Sequence, residues 1–119
     1  MYSAQLLDHF QNPRNAGEIA NADAAAEIEN PVCGDILRLT LKASGGRITQ
    51  LRFKAKGCVA AIACGSALTE LIAGKTIDQA RSLNSEDLGA AVGGLPQGSA
   101  HAAQLALDAL ALALSQIKQ

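Results

Sequence analysis

Aromatic residues and cysteines are scarce in this chain. It has no tryptophan, one tyrosine and two phenylalanines among 119 residues, although 49% of its residues are hydrophobic. The core must therefore be built from leucine, isoleucine, valine and alanine. Three cysteines are an odd number with no secretory context, which argues against a disulfide framework and for reduced thiols. We expect one globular domain over residues 1–119.

Excess charge and long apolar runs are also missing. The formal net charge is −1, which argues against a nucleic-acid partner. The basic residues Arg52, Lys54 and Lys56 alternate with apolar ones, which is typical of a solvated strand face and protects a sheet edge from aggregation. No apolar run approaches 18 residues, so we expect no membrane span. No basic stretch followed by an apolar one opens the chain, so we expect a cytoplasmic protein.

The periodicity of apolar residues predicts the fold class. Residues 36–43 and 51–56 alternate apolar and polar side chains on either side of the turn Ser44–Gly46, which predicts a β-hairpin. A weaker strand is predicted over residues 24–30. Composition and capping signals predict helices at 2–10, 59–73, 76–81, from Ser85 onwards, and from Ser99 towards Lys118. The sum is an α+β fold, a three-stranded antiparallel sheet with helices packed on one face.

The hairpin brings two cysteines together. Cys33 precedes its first strand and Cys58 follows its second. Because the start of one antiparallel strand lies beside the end of its partner, we expect both thiols at the sheet end opposite the turn. Asp35, two residues after Cys33, points to the same side of the chain.

Helix ends add to this cluster. Cys58 stands just before a helix, whose positive end is expected to lower the pKa of its thiol. His101 lies in the first turn of the last helix and could supply an imidazole. Cys33, Asp35, Cys58 and His101 together offer four ligands suited to zinc or iron. Taken singly, each also fits a plain role: a small buried cysteine, a turn residue or a polar helix start.

Two further residues are interpreted as structural. Cys64 follows Cys58 by six residues, which in a helix means about 9 Å of rise. It therefore cannot share an ion with Cys58, and we expect a buried helix cysteine. His9 is expected to play a structural role on the polar edge of the first helix.

Four collinear motifs carry a family resemblance. They are the opening Tyr2-Ser3 with Asp8-His9-Phe10-Gln11-Asn12-Pro13-Arg14-Asn15-Ala16-Gly17, then Asn30-Pro31-Val32-Cys33-Gly34-Asp35, then Phe53-Lys54-Ala55-Lys56-Gly57-Cys58 with Ala61-Ile62-Ala63, and finally Leu95-Pro96 with His101. Together they resemble the IscU/NifU-type scaffold on which iron–sulfur clusters are assembled. The match runs over nearly the whole chain.

The resemblance implies a non-enzymatic scaffold that receives iron and persulfide sulfur. It would build a [2Fe–2S] cluster and pass it to apo iron–sulfur proteins, with a cysteine desulfurase as sulfur-donating partner. By position, Cys33, Cys58 and His101 would be ligands of the cluster or of zinc. Asp35 would be a ligand or a group that keeps the cluster labile.

The chain departs from this family at three places. The family has its third cysteine directly after the histidine, where this chain has Ala102. Chaperone-dependent members continue Leu-Pro with Pro-Val-Lys, where this chain has Gln97-Gly98-Ser99. Cys64-Gly65 stands where serines are usual. These changes put in doubt a third thiolate ligand and handover through a dedicated Hsp70-type chaperone.

Two other functions stay open at this stage. A SufE-type sulfur acceptor, whose fold is similar, would carry a persulfide on Cys58 without metal. A degenerate relative would bind zinc or nothing and serve as an interaction module. A hydrolase is not favoured, because no serine has nucleophile-elbow context. The sequence leaves the oligomeric state open.

Overall fold

The computed structural model describes residues 2–31 and 34–117. The elements in chain order are α1 (Ala4–Gln11), β1 (Ala24–Glu29), β2 (Ile36–Ser44), β3 (Arg47–Lys56), α2 (Val59–Ile72), α3 (Ile77–Arg81), α4 (Ser85–Ala91), a 3₁₀ turn (Gln97–Ser99) and α5 (Ala100–Ser115). The strands form one sheet in the order β1-β2-β3. Both strand pairs are antiparallel. This architecture confirms the predicted fold class.

The register of the hairpin fixes which residues share the sheet end. Ile36 pairs with Lys56 at that end, and Ser44 pairs with Arg47 beside the Gly45–Gly46 turn. A register shift lies between Lys42 and Ala43, at the turn end. The pairing is regular from there to the far end, so the residues just before Ile36 and just after Lys56 must lie next to each other.

The core lies between one sheet face and the helices α2 and α5. Leu37, Leu39 and Leu41 of β2 are fully buried, as their alternation with polar residues predicts. Helix α2 packs closely on this face because it carries Gly65. A Cβ at Gly65 would lie 2.6 Å from Phe53 Cδ2, so a larger residue there would force Phe53 to move.

The segment between α1 and β1 runs along the outer edge of β3 and then crosses onto the sheet face opposite the helices. Phe53 N–H donates to the Asn15 carbonyl at 3.0 Å, and Gly17 N–H donates to the Phe53 carbonyl at 2.8 Å. Ile19 N–H then donates to Thr40 Oγ1 at 3.0 Å. Backbone pairing on the outer edge of β3, the edge away from β2, therefore stops at Phe53 among the described residues, whereas pairing with β2 continues to Lys56.

The helix starts follow local capping chemistry. Thr76 and Gln79 form the predicted reciprocal capping box of α3. The cap of α4 is Asn84, not Ser85 as expected, because the Asn84 side chain accepts from the Asp87 N–H and Asp87 reciprocates. The last helix begins at Ala100, next to the predicted Ser99. It ends at Ser115, with Gln116 as its C-cap, which is short of the predicted extension towards Lys118.

The residues that helix α1 buries differ from the prediction. Leu6 and His9 are its buried residues, whereas Leu7 is 37% exposed. The expectation that His9 lies on a polar edge was wrong. Its ring is buried against α2, where Nδ1 lies 2.7 Å from Ser66 Oγ. A histidine can be buried in this way when a hydroxyl satisfies a ring nitrogen.

Across residues 2–31 and 34–117, none of the helices combines the length and the apolar character needed to cross a membrane.

Candidate metal centre

Three elements converge at the sheet end opposite the hairpin turn. Asp35 directly precedes β2, Cys58 follows β3 by two residues, and α5 places His101 in its first turn. Each of the three offers one ligand atom, and these atoms all lie within 4.8 Å of one another. Ligand atoms on one tetrahedral zinc or iron, at bonds of about 2.0–2.3 Å, are separated by about 3.3–3.8 Å. Small side-chain shifts would therefore suffice to enclose one ion.

Asp35 and Cys58 are joined by two hydrogen bonds. The backbone N–H of Cys58 donates to Asp35 Oδ1 at 3.1 Å. The Cys58 thiol donates to Asp35 Oδ2, also at 3.1 Å. Asp35 is only 2% exposed, so these contacts compensate a carboxylate that the fold has taken out of water. The pair is held in a fixed orientation.

Helix α2 also orients the thiol. Cys58 is its N-cap residue, and its Sγ accepts from the Ala61 N–H at 3.4 Å. The sulfur is thus placed between the carboxylate and the helix end.

His101 presents an unpartnered nitrogen to this pair. Its Nε2 lies 3.5 Å from Asp35 Oδ2. The atom is buried and makes no hydrogen bond to any of the residues that the structure describes. A buried polar atom without a partner costs free energy unless a water or an ion satisfies it. The chemistry that fits an imidazole nitrogen facing a thiol and a carboxylate is metal coordination.

The pKa of the Cys58 thiol corrects one expectation. The helix end was expected to lower it, but the structure raises it above the ordinary value. Burial is the largest cause, followed by the hydrogen bond to Asp35, while the Ala61 N–H acts in the opposite direction. At neutral pH and without an ion, the Cys58 thiol is therefore protonated, because the loss of water and the neighbouring carboxylate outweigh the helix end.

The structure describes three of the four expected ligands. The fold brings Asp35, Cys58 and His101 together. Cys33 lies outside the described residues, so the expected proximity of the two cysteines stays a prediction. Cys64 is fully buried in α2, as expected, and burial raises the pKa of its thiol to about 12. Residue Ala102, next to His101, is also fully buried.

Gly57 is a residue of the site that sequence analysis did not single out for this role. It sits between β3 and Cys58 with φ +137°, and a Cβ there would overlap the Asp35 carboxylate. The available signal was a glycine directly before a candidate ligand, which often marks a close approach of the backbone.

Comparison with known proteins identifies the family of this chain. The family described as the NifU-like N-terminal domain matches residues 1–119. The iron–sulfur cluster assembly scaffold protein IscU 1 of Archaeoglobus fulgidus is 45% identical over 114 residues, which cover 96% of this chain and 74% of that protein. The scaffold protein IscU of Escherichia coli is 36% identical over 121 residues, covering 98% and 94%.

A solved structure shows the same fold. The N-terminal part of a NifU-like protein from Brucella abortus superposes with a TM-score of 0.77 at 23% identity, covering 97% of this chain and 92% of that one. With the family match over the full sequence, the conclusion is direct: this chain belongs to the family of NifU-like N-terminal domains.

Proposed function

We propose that the protein is an iron–sulfur cluster assembly scaffold, which holds iron or a labile cluster as cargo and passes it to apo iron–sulfur proteins. The relatives named as IscU scaffolds support this function. In the structure, the observation that carries it is the buried Nε2 of His101, which faces Asp35 and Cys58 and makes no hydrogen bond to any of the described residues. The ring nitrogens of a purely structural buried histidine are normally hydrogen-bonded.

The proposed ligands are Cys33, Asp35, Cys58 and His101. They would supply two thiolates, one carboxylate oxygen and one imidazole nitrogen, a set that suits Fe²⁺ or Zn²⁺. Histidine also replaces cysteine as a ligand in some [2Fe–2S] centres. Iron bound in such a site would accept thiolate ligands from the protein and sulfide from the sulfur donor, which are the components of a cluster. We propose a [2Fe–2S] cluster as cargo and zinc as an alternative occupant.

The protein's own residues would make the cargo exchangeable. Binding at Cys58 requires its thiolate, so the hydrogen bond from Sγ to Asp35 must be given up. When the cargo leaves, Asp35 can take that hydrogen bond back at 3.1 Å. The ion-free site is therefore stabilised by the same carboxylate that helps to hold the ion. A site whose metal-free form is stabilised by such a hydrogen bond releases its metal more readily than a site in which departure of the metal leaves buried charges unpaired.

Ala102 makes this site poorer in sulfur ligands than the family pattern. The position after His101 supplies a methyl group, so α5 contributes one imidazole and no thiolate. We propose that persulfide sulfur from a cysteine desulfurase is received at Cys33 or Cys58. The protein would act without catalysing a reaction of its own, in the cytoplasm.

Anaerobic reconstitution tests the proposal. The protein is incubated with ferrous iron, a cysteine desulfurase and excess cysteine, which is both the sulfur source and the thiol that reduces persulfide sulfur to sulfide. Visible absorption and Mössbauer spectra are recorded. We expect the spectrum of a [2Fe–2S] cluster, lost in Cys33→Ser, Cys58→Ser and His101→Ala. Cys64→Ala is the matched control, since it removes a buried thiol that lies outside the ligand cluster, and it should retain the spectrum.

Three other outcomes would contradict the proposal in distinguishable ways. No colour together with a persulfide on Cys58 by mass spectrometry would indicate a sulfur acceptor of the SufE type. No colour with stoichiometric zinc would indicate a zinc-binding interaction module. Equal loss of colour in Cys64→Ala and Cys58→Ser would show that general destabilisation, not ligand loss, explains the variants.

A further inference from the structure

The edge of β3 next to the metal centre carries unpaired backbone groups. The N–H and C=O of Phe53 both bond to the segment Asn15–Gly17, away from β2. Successive residues of a strand alternate in the direction of these groups, so Ala55 must present its N–H and C=O to the same outer edge. No hydrogen bond engages them among the residues that the structure describes. Ala55 is also partly exposed.

Other outward-facing positions of β3 are not available. Ile48 N–H donates to the Lys75 carbonyl at 2.9 Å, and Phe53 is paired as described. Leu51 has the same orientation as Phe53 but is only 3% exposed. At Ala55 the chain that covers Phe53 has already turned away, since Ile19 bonds to Thr40 on the sheet face. The open part of this edge is therefore confined to the last residues of β3, around Ala55, before Gly57.

An apolar groove continues the open edge. Its volume is about 370 Å³, and its walls include Pro13, Gly17, Ala55 and Ile62. Ile62 comes from α2 and is partly exposed. An extended chain paired to Ala55 could place every second side chain against these apolar walls. Backbone pairing combined with a side-chain groove is the way in which strand-adding peptides are recognised.

The outer edge of β3 is basic, whereas the outer edge of β1, on the other side of the sheet, is acidic. Lys54 and Lys56 flank Ala55, and the Lys54 side chain is 62% exposed, with Glu18 no closer than 4.0 Å. At the other edge, the Gln116 side chain pairs with both backbone groups of Ala25 in β1. By the same alternation, Glu27 faces outward on β1, and its side chain is acidic and exposed.

We propose that the edge at Ala55 binds an extended, acidic segment of a partner protein, which adds to β3 as a fourth strand. Lys54 and Lys56 attract the acidic side chains, and the apolar groove receives the alternate ones. The segment ends beside the metal centre, since Cys58 lies three residues beyond Ala55, at most about 10 Å along the chain. This inference goes beyond the scaffold function and does not depend on any ion.

Amide hydrogen exchange of the metal-free protein, followed by NMR, tests the proposal. The probe is an acetylated heptapeptide of alternating glutamate and valine, with its lysine–valine counterpart for comparison. We expect the acidic peptide to slow exchange of the Ala55 amide by at least about tenfold at saturation, whereas the basic peptide leaves it unchanged. Protection of the Glu27 amide by the acidic peptide, or none at either edge, overturns the proposal.

Two variants isolate the contact. Ala55→Pro removes an N–H that points away from β2, which an edge strand tolerates, and it should weaken acidic-peptide binding at least about tenfold. Glu27→Pro removes the equivalent N–H at the other edge and should leave binding unchanged. If Ala55→Pro fails to fold, Ile62→Asp places a carboxylate in the groove and should weaken binding similarly. Unchanged binding in a folded Ala55→Pro or Ile62→Asp variant overturns the proposal.

Sedimentation of the protein alone distinguishes a partner from a second copy. The acidic edge of β1 could in principle pair with the basic edge of β3 in another molecule. Concentration-dependent association that Ala55→Pro and Glu27→Pro both abolish would overturn the proposal of a separate partner. A protein that does not self-associate, together with protection of the Ala55 amide by the acidic peptide, supports the proposal of a separate partner.

Discussion

Gly57 leaves the space that the Asp35 carboxylate occupies. A Cβ at Gly57 would lie 2.1 Å from Asp35 Oδ1, far inside van der Waals contact. The same carboxylate oxygen accepts the backbone N–H of Cys58 at 3.1 Å. The chain thus turns from β3 into α2 directly over Asp35, and only a residue without a side chain permits this approach.

Gly57→Ala should therefore weaken metal binding. The methyl group must push Asp35 away from Cys58 or shift the turn, which moves two candidate ligands apart. Groups that orient metal ligands are typically worth about 10–100-fold in affinity. We expect a loss in this range for Co²⁺, measured by the thiolate-to-cobalt absorption during a titration.

Gly17→Ala is the matched control. Gly17 has a comparable positive φ, at +131°, but a Cβ there meets no atom within 4 Å, and the residue lies between α1 and β1, outside the ligand cluster. It therefore carries a similar backbone strain without a clash at a ligand. Equal losses of cobalt affinity in the two variants would show that backbone strain, not the Asp35 contact, accounts for the effect.

The thiols of Cys58 and Cys64 should differ in reactivity. Cys64 is fully buried, and its pKa of about 12 leaves little thiolate at pH 8. Cys58 is partly exposed, although its pKa is also raised. In a Cys33→Ser background, iodoacetamide at pH 8 should modify Cys58 first and Cys64 only after addition of denaturant. Peptide mapping by mass spectrometry identifies the site, and early modification of Cys64 in the folded protein would contradict the prediction.

Sequence reasoning could place Asp35 near Cys58 because one element, the hairpin, determines their proximity. The alternation of leucines with polar residues in β2 defined the strand, and antiparallel pairing then placed Asp35 beside Cys58. No long-range packing had to be known for this step. His101 was harder, since only its position at the start of α5 suggested it, and the packing of α5 on the sheet brought it within reach.

The parts that sequence reasoning missed depend on contacts between distant segments. The pKa of Cys58 follows from burial and from Asp35, whereas only the adjacent helix is visible in the sequence. The burial of His9 depends on Ser66, 57 residues away. The cap of α4 is different, because Asn84 and Ser85 are both good cap residues. Local chemistry alone could not choose between them.

Ser66 joins the N-terminal segment to α2, and its removal should destabilise the fold. Its Oγ accepts the backbone N–H of Arg14 at 2.8 Å and lies 2.7 Å from His9 Nδ1. Ser66→Ala leaves both partners without this contact, at a cost of about 1–3 kcal/mol for a buried polar group. We expect a loss of this size in the free energy of urea unfolding. Ser115→Ala, which removes an exposed hydroxyl bonded to the Leu112 carbonyl, should change it by less than about 0.5 kcal/mol.

His9 should make stability depend on pH. Burial, and then the charge of Arg14, lower its pKa below the ordinary 6.5. The neutral ring fits the site, because Nδ1 can accept from Ser66 Oγ. The carboxylates of Glu70, 3.7 Å from Nε2, and of Asp8 act in the opposite direction but are outweighed by burial and Arg14. Above pH 6.5 the ring is neutral in both folded and unfolded chains, and its contribution to stability is complete.

Below pH 6.5 the unfolded chain takes up a proton at His9 that the folded protein does not. The free energy of unfolding should therefore fall as the pH falls from 6.5 towards the lower folded pKa, by at most about 1.4 kcal/mol per pH unit for this one proton. His9→Asn keeps an acceptor at the δ position and removes the titration. Urea unfolding between pH 5 and 8 should give a flatter profile for this variant, and parallel profiles would show that His9 is not the group responsible.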